Sequence, residues 1–90
     1  MVIYRSAAFT KWFESQSLKI RDQIAARLDR IQTDNHFGMH KSLGDGLWEL
    51  KFNNGNRIYY TIRNDMFLIL GGNKNGQQKD INKAKKIIAT

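Results

Sequence analysis

The chain has no cysteine and no proline, and its acidic residues are few: eight against fifteen lysines and arginines. Without thiols there are no disulfides, no thiolate zinc or iron–sulfur centres and no cysteine nucleophile, and the chain is indifferent to the redox state of its compartment. Without proline there is no proline-rich linker, and no segment repeats or is low in complexity. No apolar run approaches the ~20 residues that span a bilayer, and the opening Met1-Val2-Ile3-Tyr4-Arg5 lacks the pattern of a secretory leader. A cytoplasmic protein with no membrane contact is expected. The 90 residues, 41% hydrophobic and 26% charged, suit one compact domain over residues 1–90. A domain of that size is stable by only about 5–13 kcal/mol and has little core to spare for a deep cofactor cavity; no cofactor is expected.

The net charge of +7 is large for 10.5 kDa. It favours polyanionic partners, or simply keeps a small protein soluble. Residues 1–46 carry seven basic and five acidic side chains, whereas residues 47–90 carry eight and three, so the surplus sits in the C-terminal half.

Periodicity divides the chain into elements. Val2-Ile3-Tyr4 suits a strand, and Ser6 is placed to cap a helix from about Ala7 to Gln16, in which Phe9, Trp12 and Phe13 share one face. Ile20, Ile24, Leu28 and Ile31 give a second helix from about Leu18 to Thr33. The break at Ser15-Gln16-Ser17 allows an αα-hairpin or one bent helix, and the hairpin is preferred. Asn35 to Gly46, glycine-bearing and aperiodic, reads as a loop. From Leu47 the period becomes two: Trp48, Leu50 and Phe52 point one way and Leu47, Glu49 and Lys51 the other. After Asn53-Asn54-Gly55-Asn56 the alternation resumes, with Ile58, Tyr60 and Ile62 opposite Arg57, Tyr59, Thr61 and Arg63. Met66 to Leu70 is apolar throughout, as in a strand buried on both faces. Asp80 is then the expected N-cap of a last, basic helix running to the chain end, with Ile81, Ala84, Ile87 and Ile88 at helical spacing.

The predicted class is therefore α+β, in the order β-α-α-β-β-β-α, with an antiparallel sheet packed on the helical hairpin. If Trp48, Leu50, Phe52, Ile58, Tyr60 and Ile62 face those helices, then Glu49, Lys51, Arg57, Tyr59, Thr61 and Arg63 are expected together on a solvated face. Such a surface suits phosphate binding by charge-assisted hydrogen bonds and stacking of an unpaired base on Tyr59; an ordinary solvated face is the alternative. Other chemistry is poorly supported. His36 and His40 are four apart, but Asn35 and Gly38 argue against the helix that would let them share a metal, and no metal site is expected. The loop from Gly71 to Gly76 is followed by Gln77 where a P-loop needs lysine. Glu49 and Asp80 do not form an obvious two-carboxylate hydrolase, and no Ser-His-Asp triad can be chosen from spacing.

Taken in order, Phe9-Thr10-Lys11-Trp12, the run from Leu47 to Phe52, Asn54-Gly55-Asn56-Arg57-Ile58-Tyr59-Tyr60, Gly72-Asn73-Lys74 and the run from Gln78 to Ala84 resemble the HigB-like addiction-module killer proteins of the RelE/ParE toxin superfamily. The resemblance spans essentially the whole chain. It implies a bacterial type II toxin, metal-independent and cytoplasmic, neutralised by a helix-turn-helix antitoxin (HigA-like), whose RelE-like members cut mRNA on the ribosome. Operator DNA would be met only through the antitoxin complex. The alternative is a toxin that cuts nothing and instead occupies RNA, the ribosome or, as ParE-like members do, DNA gyrase. By similarity Arg57 stabilises charge on the scissile phosphate, Lys51 and Lys74 are cationic partners in the same chemistry, and Tyr59, Arg63, Gln78 and Lys79 are RNA-binding residues. The chain departs from the RelE pattern in the last helix, where a proton-transferring tyrosine aligns near Ile81, and no tyrosine follows Tyr60. No general base is then evident unless a lysine of lowered pKa or Glu49 takes that part.

Overall fold

The structure, a computed structural model, describes residues 1–89; Thr90, where the last helix was expected to end, lies outside the described residues. The elements run β1 (Ile3–Arg5), α1 (Ala7–Glu14), α2 (Leu18–Asp34), β2 (His40–Gly44), β3 (Leu47–Lys51), β4 (Asn56–Arg63), β5 (Asp65–Asn73), a single 3-10 turn (Lys74–Gly76) and α3 (Gln77–Ala89). Five strands form one sheet in the order β1-β5-β4-β3-β2, antiparallel except for the parallel pair of β1 with β5. The α+β class is as expected.

Local chemistry explains the helix boundaries. Ser6 Oγ accepts from the Phe9 N–H at 3.0 Å and donates to the Ile69 carbonyl at 2.7 Å, so one hydroxyl caps α1 and ties it to the sheet. Ser17 caps α2 in the same way, accepting from Ile20 N–H at 3.3 Å. α2 stops where Asn35 turns left-handed (φ 54°) and its N–H returns to the Arg30 and Ile31 carbonyls. The short break at Ser15–Ser17 makes two helices, not one bent one.

One face of the sheet packs against α1 and α2. Phe9, Ile24, Leu28 and Ile31 meet Leu50, Ile58, Tyr60, Met66 and Leu68 there, all essentially buried. Tyr59 pairs with Leu70 and Tyr60 with Leu68, so Ile69 is the extra residue of a bulge on β5. Gly71 follows, and any side chain there would overlap the Trp12 indole of α1.

Three expectations are corrected. The segment read as a loop over 35–46 contains β2, hydrogen-bonded along β3 and joined to it by Asp45 (φ 56°) and Gly46 (φ 81°). β2 is an edge strand with almost every side chain exposed, so backbone pairing orders it without leaving an apolar alternation to read. Second, the face expected to be wet is largely dry: Glu49 and Tyr59 are 0% and Thr61 6% exposed. α3 lies across it, and Ala84, Ile81 and Ile88 pack with Leu47, Tyr59, Ile69 and Leu70 in a second core. The apolar stripe of α3 needed a partner surface, and the sheet's unused face is where it went. Third, Asp80 is not the N-cap. Asn73 caps the 3-10 turn through its Oδ1, 2.9 Å from the Asn75 N–H, and α3 starts at Gln77, so Asp80 stands within its first turn.

Candidate functional site

The site is the strip where the β3–β4 turn, the end of β5 and the first turn of α3 converge. Arg57, the second residue of β4, lies opposite Lys51 on β3 and opposite Gly72 on β5. Its side chain is 14% exposed, with Nε buried 3.5 Å from Glu49 Oε1 and Nη1 donating to the Asn56 carbonyl at 3.2 Å. At 3.5 Å the Arg57–Glu49 contact is an ion pair without a formed hydrogen bond. The other carboxylate oxygen, Oε2, accepts from Gln77 Nε2 at 2.8 Å. Glu49 is thus a fully buried anion joining the sheet arginine to the start of α3. Its burial and fixed partners exclude it as the group that reaches a substrate proton.

Lys74 lies at the same sheet end, against Gly55 two residues before Arg57. Its backbone N–H donates to the Gly55 carbonyl at 2.8 Å, and its stem lies over Gly55, so close that a Cβ there would stand 3.4 Å from Lys74 Cδ. Gly55 itself adopts φ 93°, which closes the β3–β4 turn and gives the lysine a flat seat. The Lys74 head is exposed and Lys51 is partly buried. Gln78 and Lys79 are exposed on the first turn of α3, and Gln78 Nε2 donates to Asn82 Oδ1 at 3.0 Å.

Two of the expected residues do not join them. Tyr59 lies beneath the site with its ring sealed and its hydroxyl lacking a hydrogen-bond partner, so it offers no face to a base. Burial, reinforced by the Glu49 and Asp80 charges and opposed by Arg57, pushes its proton affinity well above the usual phenol range. Arg63 is exposed but six residues along β4 from Arg57, roughly 20 Å away at strand rise; it borders an apolar groove with Phe67, Ile87 and Ile88. The basic surface expected to run through positions 51, 57, 59 and 63 is therefore a cluster at one sheet end plus a distant arginine.

Sequence reasoning missed the parts played by Gln77 and Asp80. Desolvation raises the Asp80 carboxyl above the ordinary range, with Lys83 and Lys79 pulling the other way. The only signal in the sequence was the pair of glycines, Gly72 and Gly76, at positions a side chain would crowd this carboxylate.

Arg27 of α2 is built into the back of the same turn. Its guanidinium donates to the Phe37 carbonyl from Nε and Nη2 (3.1 and 2.9 Å), to that of Met39 at 2.5 Å and to that of Lys51, and it lies 4.6 Å above the Phe52 ring. This clasp fixes the backbone that carries Lys51. His40, by contrast, is spent locally, with Nδ1 2.9 Å from the Gly38 carbonyl and the ring tilted against Trp48 and Phe37. Among the described residues no three His, Asp or Glu side chains converge as metal ligands would.

The sequence profile of the phage-derived Gp49-like proteins (DUF891) matches residues 11–90. The chain belongs to this Gp49-like family. An uncharacterized protein of Haemophilus influenzae is 38% identical over 88 residues, covering 92% of this chain and 88% of that one. Among solved structures, the Gp49-like chain shares its fold with RelE toxins. A free E. coli RelE mutant superposes with a TM-score of 0.72 at 15% identity, covering 92% of this chain and 90% of that one. RelE from the intact E. coli RelBE toxin–antitoxin complex gives 0.68 at 17%, covering 79% and 93%. The Methanococcus jannaschii RelB–RelE antitoxin–toxin complex gives 0.71 at 12%, covering 86% and 96%. The family matched is Gp49-like; the narrower HigB-like branch is not singled out. No helix among the described residues is long and apolar enough to cross a membrane.

Proposed function

We propose that this Gp49-like chain acts as one domain, the toxin of a type II toxin–antitoxin module, and that it cuts mRNA on the ribosome. The observation that carries the reading is Arg57: a partly exposed guanidinium, held from below by the buried Glu49 carboxylate and flanked by Lys51 and Lys74. The RelE fold and the two structures of RelE-type toxins with their antitoxins support it.

In this reading the ribose 2′-oxygen attacks the neighbouring phosphorus, and negative charge grows on the phosphate oxygens. Arg57 stabilises that charge, and its fixed orientation means no reorganisation is needed as the charge develops. Lys51 and Lys74 hold the phosphate so that attacking oxygen, phosphorus and leaving oxygen fall in line. Gln78 and Lys79 contact the strand beside the site, and Arg63 reaches a more distant phosphate. Tyr59 serves as core. No cofactor takes part. The toxin works in the cytoplasm, neutralised by a cognate helix-turn-helix (HigA-like) antitoxin, and operator DNA is met only through that complex.

The test is induced expression followed by primer extension on cellular mRNA. The chain should arrest growth and leave sharp new 5′ ends, and Arg57→Ala should abolish both. Growth arrest without new ends would make the chain a toxin that binds the ribosome, RNA or gyrase without cutting. Undiminished cleavage by Arg57→Ala would remove the site from Arg57.

A further inference from the structure

Asp80 is a carboxylate in the first turn of α3 that shares the strip with Arg57 and whose side chain has no hydrogen-bond or ion-pair partner among the described residues. Gly72 pairs with Arg57 across β4 and β5, and Asp80 folds back from α3 onto exactly that residue: any Cβ on Gly72 would overlap Asp80 Oδ2. A Cβ on Gly76 would come within 3.6 Å of the same oxygen. The carboxylate therefore sits on bare backbone one strand over from the arginine. Glu49 is committed to Gln77 and Arg57, whereas Asp80 accepts no hydrogen bond and makes no ion pair with any described residue. Asp80 is only partly buried, so a bound ligand can reach it.

We propose that Asp80 is a catalytic residue, taking the proton from the ribose 2′-hydroxyl as that oxygen attacks the phosphorus held at Arg57. The inference rests on the endoribonuclease reading above. The O2′–H electron pair becomes the new O2′–P bond and the proton passes to Asp80. The P–O5′ bond breaks, its electrons leave on O5′, and solvent water protonates that oxygen. The products are a 2′,3′-cyclic phosphate and a 5′-hydroxyl end. Partial desolvation raises the Asp80 carboxyl and so favours proton uptake there, with Lys83 and Lys79 opposing it. The titratable and charged groups around it are Lys79 and Lys83 on its own helix and Tyr59 on β4, with Glu49 and Arg57 beside that ring.

Single-turnover cleavage of mRNA on purified ribosomes, followed against pH, tests the assignment. Asp80→Asn should slow cleavage by about 10²–10⁴-fold, the usual range for loss of a general base. Binding to the programmed ribosome should stay within about twofold, thermal stability should hold, and the acid limb of the pH–rate profile should disappear. Asp80→Glu should restore part of the rate together with the acid limb. An Asp80→Asn protein that cuts within about threefold of wild type, or keeps the acid limb, overturns the role of Asp80 while leaving the endoribonuclease reading intact. A wild-type chain that cuts no mRNA overturns both.

Discussion

Replacing Glu49 with alanine should cost this protein a large share of its stability, because the carboxylate is completely buried and serves two partners at once. The substitution strips Gln77 Nε2 of its 2.8 Å acceptor and leaves the Arg57 guanidinium, 14% exposed, without its counter-charge. Breaking a buried ion pair from one side typically costs about 3–5 kcal/mol, since the surviving charge is left uncompensated. Here the ion-pair distance of 3.5 Å and the partial access of water to Arg57 place the expectation at the low end of that range. A loss of about 3 kcal/mol against a total of about 5–13 kcal/mol lowers the thermal midpoint by roughly 12–24 °C. The assay is urea and thermal unfolding followed by circular dichroism, in a double-mutant cycle with Arg57→Ala. The double variant should be more stable than Glu49→Ala alone, because removing Arg57 removes the orphaned charge. A Glu49→Ala protein within about 0.5 kcal/mol of wild type, or a double variant equal to the sum of the single ones, would refute the idea that this pair supports the site.

Further perturbations follow from the same geometry. Gly72→Ala should push the Asp80 carboxylate off its seat, lowering cleavage by about tenfold or more with little loss of stability, since only the end of a flexible side chain must move. Gly71→Ala should instead cost about 1–3 kcal/mol or more, because its methyl would meet the packed Trp12 ring; equal thermal midpoints for the two variants would contradict this. Arg27→Ala should cost about 2–4 kcal/mol and weaken mRNA binding through Lys51, and Arg27→Lys should not rescue it, since one ammonium cannot reproduce the fork across three carbonyls. Burial pushes Tyr60 up to about 12 and Tyr59 higher still. Both rings keep their protons longer folded than unfolded, so the stability they contribute is complete below the ordinary phenol pKa of about 10 and falls as pH rises beyond it. In a Tyr4→Phe variant, tyrosinate absorbance should therefore appear together with loss of the circular dichroism signal; ionised tyrosines in a still-folded protein at pH 10 would contradict the burial of these rings.

Much of the architecture was legible because it depends on near neighbours. The Ser6 cap, the helical spacing of Ile24, Leu28 and Ile31, and the Asn54-Gly55 turn each act within a few residues, and the structure has them where the pattern placed them. β2 escaped because an exposed edge strand carries no apolar alternation; its one local mark was Asp45-Gly46, a pair that readily takes the positive φ of a tight hairpin. In the candidate site, strand alternation put Lys51 and Arg57 on one face, and resemblance pointed to them and to Lys74. Asp80 was read as a cap because a carboxylate near a helix start most often is one, and only the 3-10 turn ahead of α3 moves it past that position.

What the sequence by itself determined is which side chains share a face, because alternation along a strand is a property of the local backbone. Glu49, Arg57 and Tyr59 were bound to lie together whatever else the chain did. Whether that face would be wet or dry was decided by α3, which comes back from the far end of the chain to cover it, so that Tyr59 became core and Glu49 a buried support for Arg57. Asp80 stands over Gly72, the β5 partner of Arg57, for the same reason. That placement depends on the pairing of β4 with β5 and on the docking of α3, and contacts between elements so far apart in the chain leave no periodicity to read.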